Sequence, residues 1–148
     1  MELERCINFV LTKAQQAVHQ VFKAELAPWG VTPGQYAVLK CLWEQNGQTA
    51  KALAERLSVD GSTMTGTLDR MEQKGLIEKH PDPRDRRALR VTLSPRGREL
   101  EKPLNEAIER ANRKVLEGLD PVHAALLSRM LQGLGEERHG QRAEASHG

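Results

Sequence analysis

Leu3, Ile7, Val10, Ala14, Ala17, Val18 and Val21 recur at three- and four-residue steps, the spacing that stacks side chains on one face of an α-helix. The pattern predicts a first helix over about residues 2–27, ended by Pro28 and Gly30. Thr32-Pro33 pairs a capping residue with proline at the first helical position and so opens a second helix. That helix carries Tyr36, Leu39, Leu42 and Trp43 inward and stops near Asn46-Gly47. Thr49 caps a short third helix with Leu53, Ala54 and Leu57 as its apolar stripe. After Ser58-Val59-Asp60-Gly61, a fourth turns Met64, Leu68 and Met71 inward and ends at Gly75.

The period then changes. Leu76 to His80 can extend, and Leu89-Arg90-Val91-Thr92-Leu93 alternates strictly between apolar and polar, as a strand with one buried face does. Pro81 and Pro83 forbid helix between them and mark a hairpin tip. Ser94-Pro95 caps a fifth helix, expected to run to about Gly118 with a bend at Pro103. Asp120-Pro121 starts a sixth, with Val122, Leu126, Leu127, Met130 and Leu134 at helical spacing. Residues 136–148 hold no apolar stripe and are expected to form a disordered tail. The predicted fold is mainly α with a small β-hairpin wing. Helical regions 1–30 and 95–135 flank a winged helix-turn-helix domain over 31–94.

The 148 residues are 39% hydrophobic but only 3% aromatic, so the core should be aliphatic. Cys6 and Cys41 are too few for a disulfide framework and suit a reducing cytosol. Met1 to Arg5 lacks a basic segment followed by an apolar core, so no secretory signal is expected. No apolar run approaches the roughly 18 residues that a membrane span needs. The expected location is cytoplasmic. Formal net charge is only +2, yet Lys79 to Arg98 holds seven Lys/Arg against two Asp/Glu, a local +5. One basic face on a near-neutral chain points to nucleic acid.

The third and fourth helices, joined by a tight turn, follow the helix-turn-helix plan, in which the second helix enters the major groove. The outer face of that second helix is Ser62, Thr63, Thr65, Gly66, Asp69, Arg70 and Gln73. Short hydroxyls near a helix N-terminus can donate to phosphates or base edges. A capped polar surface helix would look the same, so the adjoining hairpin decides. Its tip bears Arg84, Arg86 and Arg87, and arginine suits the negative potential of a narrow minor groove. Asp85 repels phosphate, which makes it a candidate brace for Arg70 or Arg87 through a bidentate pair. Lys79, at the foot of the hairpin, is expected to contact a phosphate and so to carry no base information.

Other chemistries fit less well. Gly61 to Gly66 has the glycine spacing of a phosphate-binding loop, but Thr67 stands where lysine is required and no strand precedes it. There is no Gly-x-Ser-x-Gly elbow and no His-Glu-x-x-His helix, and the histidines at 19, 80, 123, 139 and 147 are scattered. No catalysis, metal or cofactor is expected. A purely helical interaction module would leave the +5 hairpin without a purpose.

Three segments resemble the MarR (multiple-antibiotic-resistance regulator) family of bacterial winged-helix transcription factors: VTPGQYAVL at Val31 to Leu39, LAERLSVDGSTMTGTLDRMEQKGLIEK at Leu53 to Lys79, and DPRDRRALRVTLSPRG at Asp82 to Gly97. The resemblance implies a homodimer joined through the first, fifth and sixth helices, whose apolar surface also exceeds what one winged domain covers. It implies that Ser62, Thr63, Thr65 and Arg70 face a palindromic duplex, and that Asp85 and Arg87 hold the wing's paired acid and minor-groove arginine positions. Gly66 departs from the family, where many members carry a larger, often basic residue. The function implied is a repressor released by a small aromatic or phenolic acid bound between dimer helices and winged domain. His19, Phe22, Tyr36, Lys40 and Trp43 are candidates to line that site, although each also suits a core or surface role. The alternative is a thiol-based oxidant sensor using Cys6. A branch of the family senses organic peroxide through a cysteine in this region, with nearby tyrosines, whereas this chain has Tyr36 alone.

Overall fold

The computed structural model describes the backbone of residues 1–145 and the side chains of residues 1–136. A single 3-10 turn, Leu3–Arg5, precedes helix α1, Ile7–Leu26; extended backbone at Cys6 separates them, so the predicted first helix starts with a break. Helix α2, Pro33–Glu44, opens with a reciprocal cap. Thr32 Oγ1 accepts from the Gln35 N–H at 3.2 Å, and Gln35 Oε1 accepts from the Thr32 N–H at 3.2 Å. Strand β1, Gln48–Thr49, leads into α3, Ala50–Leu57, whose first turn is capped by Thr49. Ser58, in the left-handed region, turns the chain toward α4, Gly61–Gln73, and Gly75 (φ +73°) turns it out again. A side chain at that positive φ is strained, which is why glycine ends the element.

Strands β2, Ile77–Pro81, and β3, Leu89–Leu93, form the hairpin. The sheet has the order β1-β3-β2 and is antiparallel throughout, with Ile77 opposite Leu93, His80 opposite Arg90, and Thr49 opposite Arg90 on the other side. The two-residue β1 is too short to leave an alternating signature, so the third strand was not legible in sequence. The predicted fifth helix is instead two: α5, Pro95–Glu99, and α6, Glu101–Val115. The break falls at Leu100 rather than at Pro103 because a proline ring collides with the carbonyl four residues back, here that of Glu99.

The chain divides into two compact units, residues 1–112 and 113–148. In the first, Leu26, Leu39, Leu42, Leu53, Leu68, Met71, Ile77 and Leu104 are buried to below 2% exposure. The stripe Met64, Leu68 and Met71 is buried as the periodicity predicts. Truncating one such side chain to alanine costs about 2–5 kcal/mol. Gly97 is buried where α5 meets the start of β2, and a Cβ on it would lie 2.2 Å from the Leu76 carbonyl oxygen. Ser94 Oγ accepts from the Gly97 N–H at 3.0 Å and donates to the Gly75 carbonyl at 2.6 Å, and Trp43 Nε1 donates to the Gly97 carbonyl at 2.9 Å.

The second unit holds α7, Pro121–Ala145, capped by Asp120, which accepts from the His123 N–H at 2.9 Å. Val122, Leu126, Leu127, Met130, Leu131 and Leu134 are exposed on it. Helix continues through residues 136–145, where the sequence predicts a disordered tail; residues 146–148 of that tail lie outside the described residues. The segment is rich in Glu, Arg, Gln and Ala, whose intrinsic preference extends a helix without any apolar stripe.

Candidate nucleic-acid interface

Helix α4 exposes Ser62, Thr63, Thr65, Asp69, Arg70 and Gln73 on the side opposite its buried stripe. Asp60 builds its start: Oδ1 accepts from the Thr63 N–H at 2.7 Å and from the Ser62 hydroxyl at 2.8 Å. The Thr63 N–H, followed by the hydroxyls, holds this exposed carboxyl below the ordinary range. The Thr65 hydroxyl donates back to the Gly61 carbonyl at 2.9 Å. The hydroxyl protons of Ser62 and Thr65 are thus spent on their own helix, and what they present outward is lone pairs. They suit acceptance from a base amino group rather than donation to phosphate.

Lys79 is not the outward phosphate contact expected of it. Its Nζ donates to Asp69 Oδ1 and lies 3.6 Å from Glu72 Oε1, with its side chain only 20% exposed, while its N–H donates to Glu72 Oε2 at 3.3 Å. The hydrogen bond to Asp69 raises the ammonium pKa and engages the charge with the acids of α4. Lys79 therefore offsets the two carboxylates on α4. Arg70 folds back along the same helix, its Nη1 lying 3.4 Å from where a Cβ on Gly66 would stand. Gly66, the departure from the family pattern, gives that guanidinium room.

The wing tip exposes Arg84, Arg86 and Arg87, and among the described residues no ion pair engages them. Asp85 does not brace Arg70 or Arg87 by a bidentate pair. Its Oδ1 accepts from the Arg87 backbone N–H at 3.0 Å, and its carbonyl accepts from the Ala88 N–H at 3.0 Å, so it shapes the turn instead. The bidentate reading fails because a two-residue separation brings the carboxylate to the backbone before the guanidinium. The acid with an arginine partner is Asp82, at 8% exposure. Its Oδ2 lies 3.4 Å from Arg90 Nη2, and its Oδ1 accepts from the Arg84 N–H at 2.9 Å, the contact that chiefly lowers its pKa. Arg90 Nη1 donates to the Gly47 carbonyl at 2.7 Å. Sequence reasoning missed both residues. The signal was available in the hairpin register, since closing the tip places position 82 beside 88–90.

Of the candidate ligand residues, the structure brings Tyr36 and Trp43 together, edge to face with centroids 5.9 Å apart. The Tyr36 hydroxyl donates to Asn105 Oδ1 at 2.8 Å, and burial raises its pKa. With the Trp43 bond to Gly97, both polar tips are engaged in joining α2 to α5 and α6. Lys40 is exposed and pairs with Glu44 at 3.9 Å, His19 is exposed, and Phe22 is half-buried. Cys6 is half-buried at the start of α1, whereas Cys41 is buried and its thiol pKa is pushed up by desolvation. Among the described residues, no cluster of His, Cys, Asp and Glu could hold a metal ion, and no helix is long and apolar enough to cross a membrane.

Comparison with known proteins places this geometry in company. The family model described as "MarR family" matches residues 31–89, which run from the start of α2 through the wing tip. The organic hydroperoxide resistance transcriptional regulator of Bacillus subtilis is 34% identical over 97 residues, 66% of this chain and 66% of its own length. A probable transcriptional regulator from Pseudomonas aeruginosa superposes with a TM-score of 0.84 at 32% identity, covering 90% of this chain and 99% of the other. CouR from Rhodococcus jostii, solved bound to p-coumaroyl-CoA, superposes with a TM-score of 0.76 at 26% identity, over 90% of this chain and 94% of its own.

Proposed function

The chain belongs to the MarR family of DNA-binding transcriptional regulators, and from that premise we propose that it is a cytoplasmic homodimeric repressor of a palindromic operator. The observation that carries the reading is the wing: three exposed arginines at the tip of a hairpin that directly follows the capped, hydroxyl-bearing helix α4. Ser62, Thr63, Thr65 and Arg70 read base edges in the major groove, and Arg84, Arg86 and Arg87 enter the adjacent minor groove. Asp85 shapes that tip, and Lys79 acts by offsetting Asp69 and Glu72. Two copies of α4 related by a two-fold axis fit half-sites about one helical turn, roughly 10 bp, apart. Dimerisation is supported by the apolar faces that α1 and α7 each leave exposed, Ile7, Val10 and Leu11 on one and Val122, Leu126, Met130 and Leu134 on the other. Footprinting with sedimentation tests this. A protected palindrome and a dimeric mass are expected, and a monomer or a preference for single strands would sink it.

A small aromatic or phenolic acid is the proposed releasing signal, by analogy with the p-coumaroyl-CoA held by CouR. Tyr36, Trp43 and Lys40 of α2, with Phe22 and His19 of α1, are its proposed contacts. A second reading has one specific support. The Bacillus subtilis relative is an organic hydroperoxide resistance regulator, and Cys6 stands half-exposed at the start of α1. Release of operator by peroxide in the wild type but not in Cys6→Ser would favour it, and release in neither would leave the ligand reading alone.

A further inference from the structure

We propose that Asp82 and Arg90 form a clamp that sets the direction of the wing tip, so that both are positioning residues for Arg84, Arg86 and Arg87. The proposal rests on the operator-binding reading above. Arg90 lies in β3 between β2 and β1, opposite His80 on one side and Thr49 on the other. Its guanidinium spans further than its backbone: Nη1 holds the Gly47 carbonyl ahead of β1, and Nη2 meets Asp82 at the entrance to the tip. Asp82 is buried among these contacts, and the rest of the tip hangs from it. Its second oxygen holds the N–H of Arg84, and its own N–H donates to the Ala88 carbonyl at 3.0 Å, closing residues 82–88 into a loop.

A hairpin tip tied only by its two strands would sample many directions, and ordering it on DNA would cost conformational entropy. The clamp takes that cost at folding instead. A forked, planar guanidinium holds two separated acceptors from two nitrogens fixed in one plane, whereas lysine must serve both from one nitrogen at the end of a flexible stem. Arg90 Nε is buried with no hydrogen-bond partner among the described residues, so the grip belongs to the two terminal nitrogens alone.

The test turns on sign. Asp82→Asn removes a negative charge from beside the DNA, so if Asp82 were a bystander the variant would bind operator more tightly. Under the clamp it binds more weakly, by roughly tenfold, about the cost of ordering one or two long side chains on docking. The loss should fall on base pairs read through the minor groove in a sequence-selection experiment, with major-groove preferences unchanged. The salt dependence of binding should keep its slope, because no cation is lost. Arg90→Lys, which keeps the charge, should reproduce the pattern and covers the case in which Asp82→Asn folds poorly. With Arg84, Arg86 and Arg87 all replaced by alanine, Asp82→Asn should have no further effect. Tighter binding by Asp82→Asn, unaltered minor-groove preference in Arg90→Lys, or an undiminished loss in the tip-neutralised background would overturn the clamp. Failure of the wild type to bind any duplex would instead overturn the operator-binding reading itself.

Discussion

Helix α4 and the wing tip, the two surfaces proposed to meet DNA, carry charge in opposite ways. On α4, Asp69 and Glu72 are offset by Lys79 reaching across from β2, and the hydroxyls of Ser62 and Thr65 are engaged by Asp60 and Gly61. At the tip, Arg84, Arg86 and Arg87 stand exposed, and the acids beside them, Asp82 and Asp85, are turned to backbone N–H groups. A helix surface so balanced adds little general attraction to phosphate and can discriminate by shape and hydrogen bonding. The tip supplies attraction that any duplex feels. Major-groove discrimination is thus assigned to α4, general affinity and minor-groove preference to the tip, and each assignment can be broken separately.

The largest effect is expected at the tip. Arg87→Ala should weaken operator binding by about 1–3 kcal/mol. It should also lower the slope of log affinity against log salt by about one per half-site, and the triple alanine variant by about three. Titrations by fluorescence anisotropy over a range of salt read both numbers. Loss of affinity with an unchanged slope would mean that the tip does not meet phosphate-rich surface.

Lys79→Ala comes next. It uncovers two carboxylates, and in water each repels a phosphate about 8 Å away by about 0.5 kcal/mol, so binding should weaken by about 1 kcal/mol. The decisive measurement is rescue. Adding Asp69→Asn and Glu72→Gln should restore affinity, whereas loss of a direct phosphate contact would not be restored by removing acids. Thr65→Val should change preference at one base pair per half-site by about 0.5–1 kcal/mol, the size of one net hydrogen bond, and leave binding to random DNA as it was. Equal losses on both DNAs would erase the distinction between helix and wing.

The smallest effect concerns Asp60. Its folded pKa is depressed by the Thr63 N–H, so the ionised cap stabilises α4 above the unfolded carboxyl value of about 4 and that stability is lost as pH falls through the lower folded value. Asp60→Asn caps the helix without titrating. The difference in melting temperature between wild type and variant should therefore shrink on going from pH 6 to below about pH 4. A difference that is constant over this range would detach the carboxylate from the helix start.

The helices and their buried faces were legible because they depend on local spacing: Met64, Leu68 and Met71 needed only their own period, and Thr32, Thr49, Asp60 and Ser94 all cap helices where the sequence places them or their turn. Pairings between distant residues were not. From sequence alone Lys79 reads as an outward cation, because its acids lie ten and seven residues back, on another element. The sequence points to Asp85 as the acid that pairs with an arginine because it lies among them, yet it is Asp82 that reaches Arg90, and only after the hairpin folds. Likewise, proline was known to disturb the fifth helix, but the disturbance acts on the preceding turn, which moved the break to Leu100.

The seam at Gly97 limits what heredity can change. Any other residue would set a carbon 2.2 Å from the Leu76 carbonyl oxygen, and backbone cannot yield there as the far end of a flexible side chain can. The same position supplies the carbonyl that receives Trp43 and the N–H that Ser94 holds. A descendant of this protein can exchange outer residues of α4 such as Ser62, Thr63, Thr65 and Gln73 one by one and so drift toward a new target, because these are exposed on a face that packs no core. It cannot exchange the joint between α5 and the first residues of β2 by small steps. Divergence of what such proteins recognise is therefore expected to run far ahead of divergence in the frame that presents it.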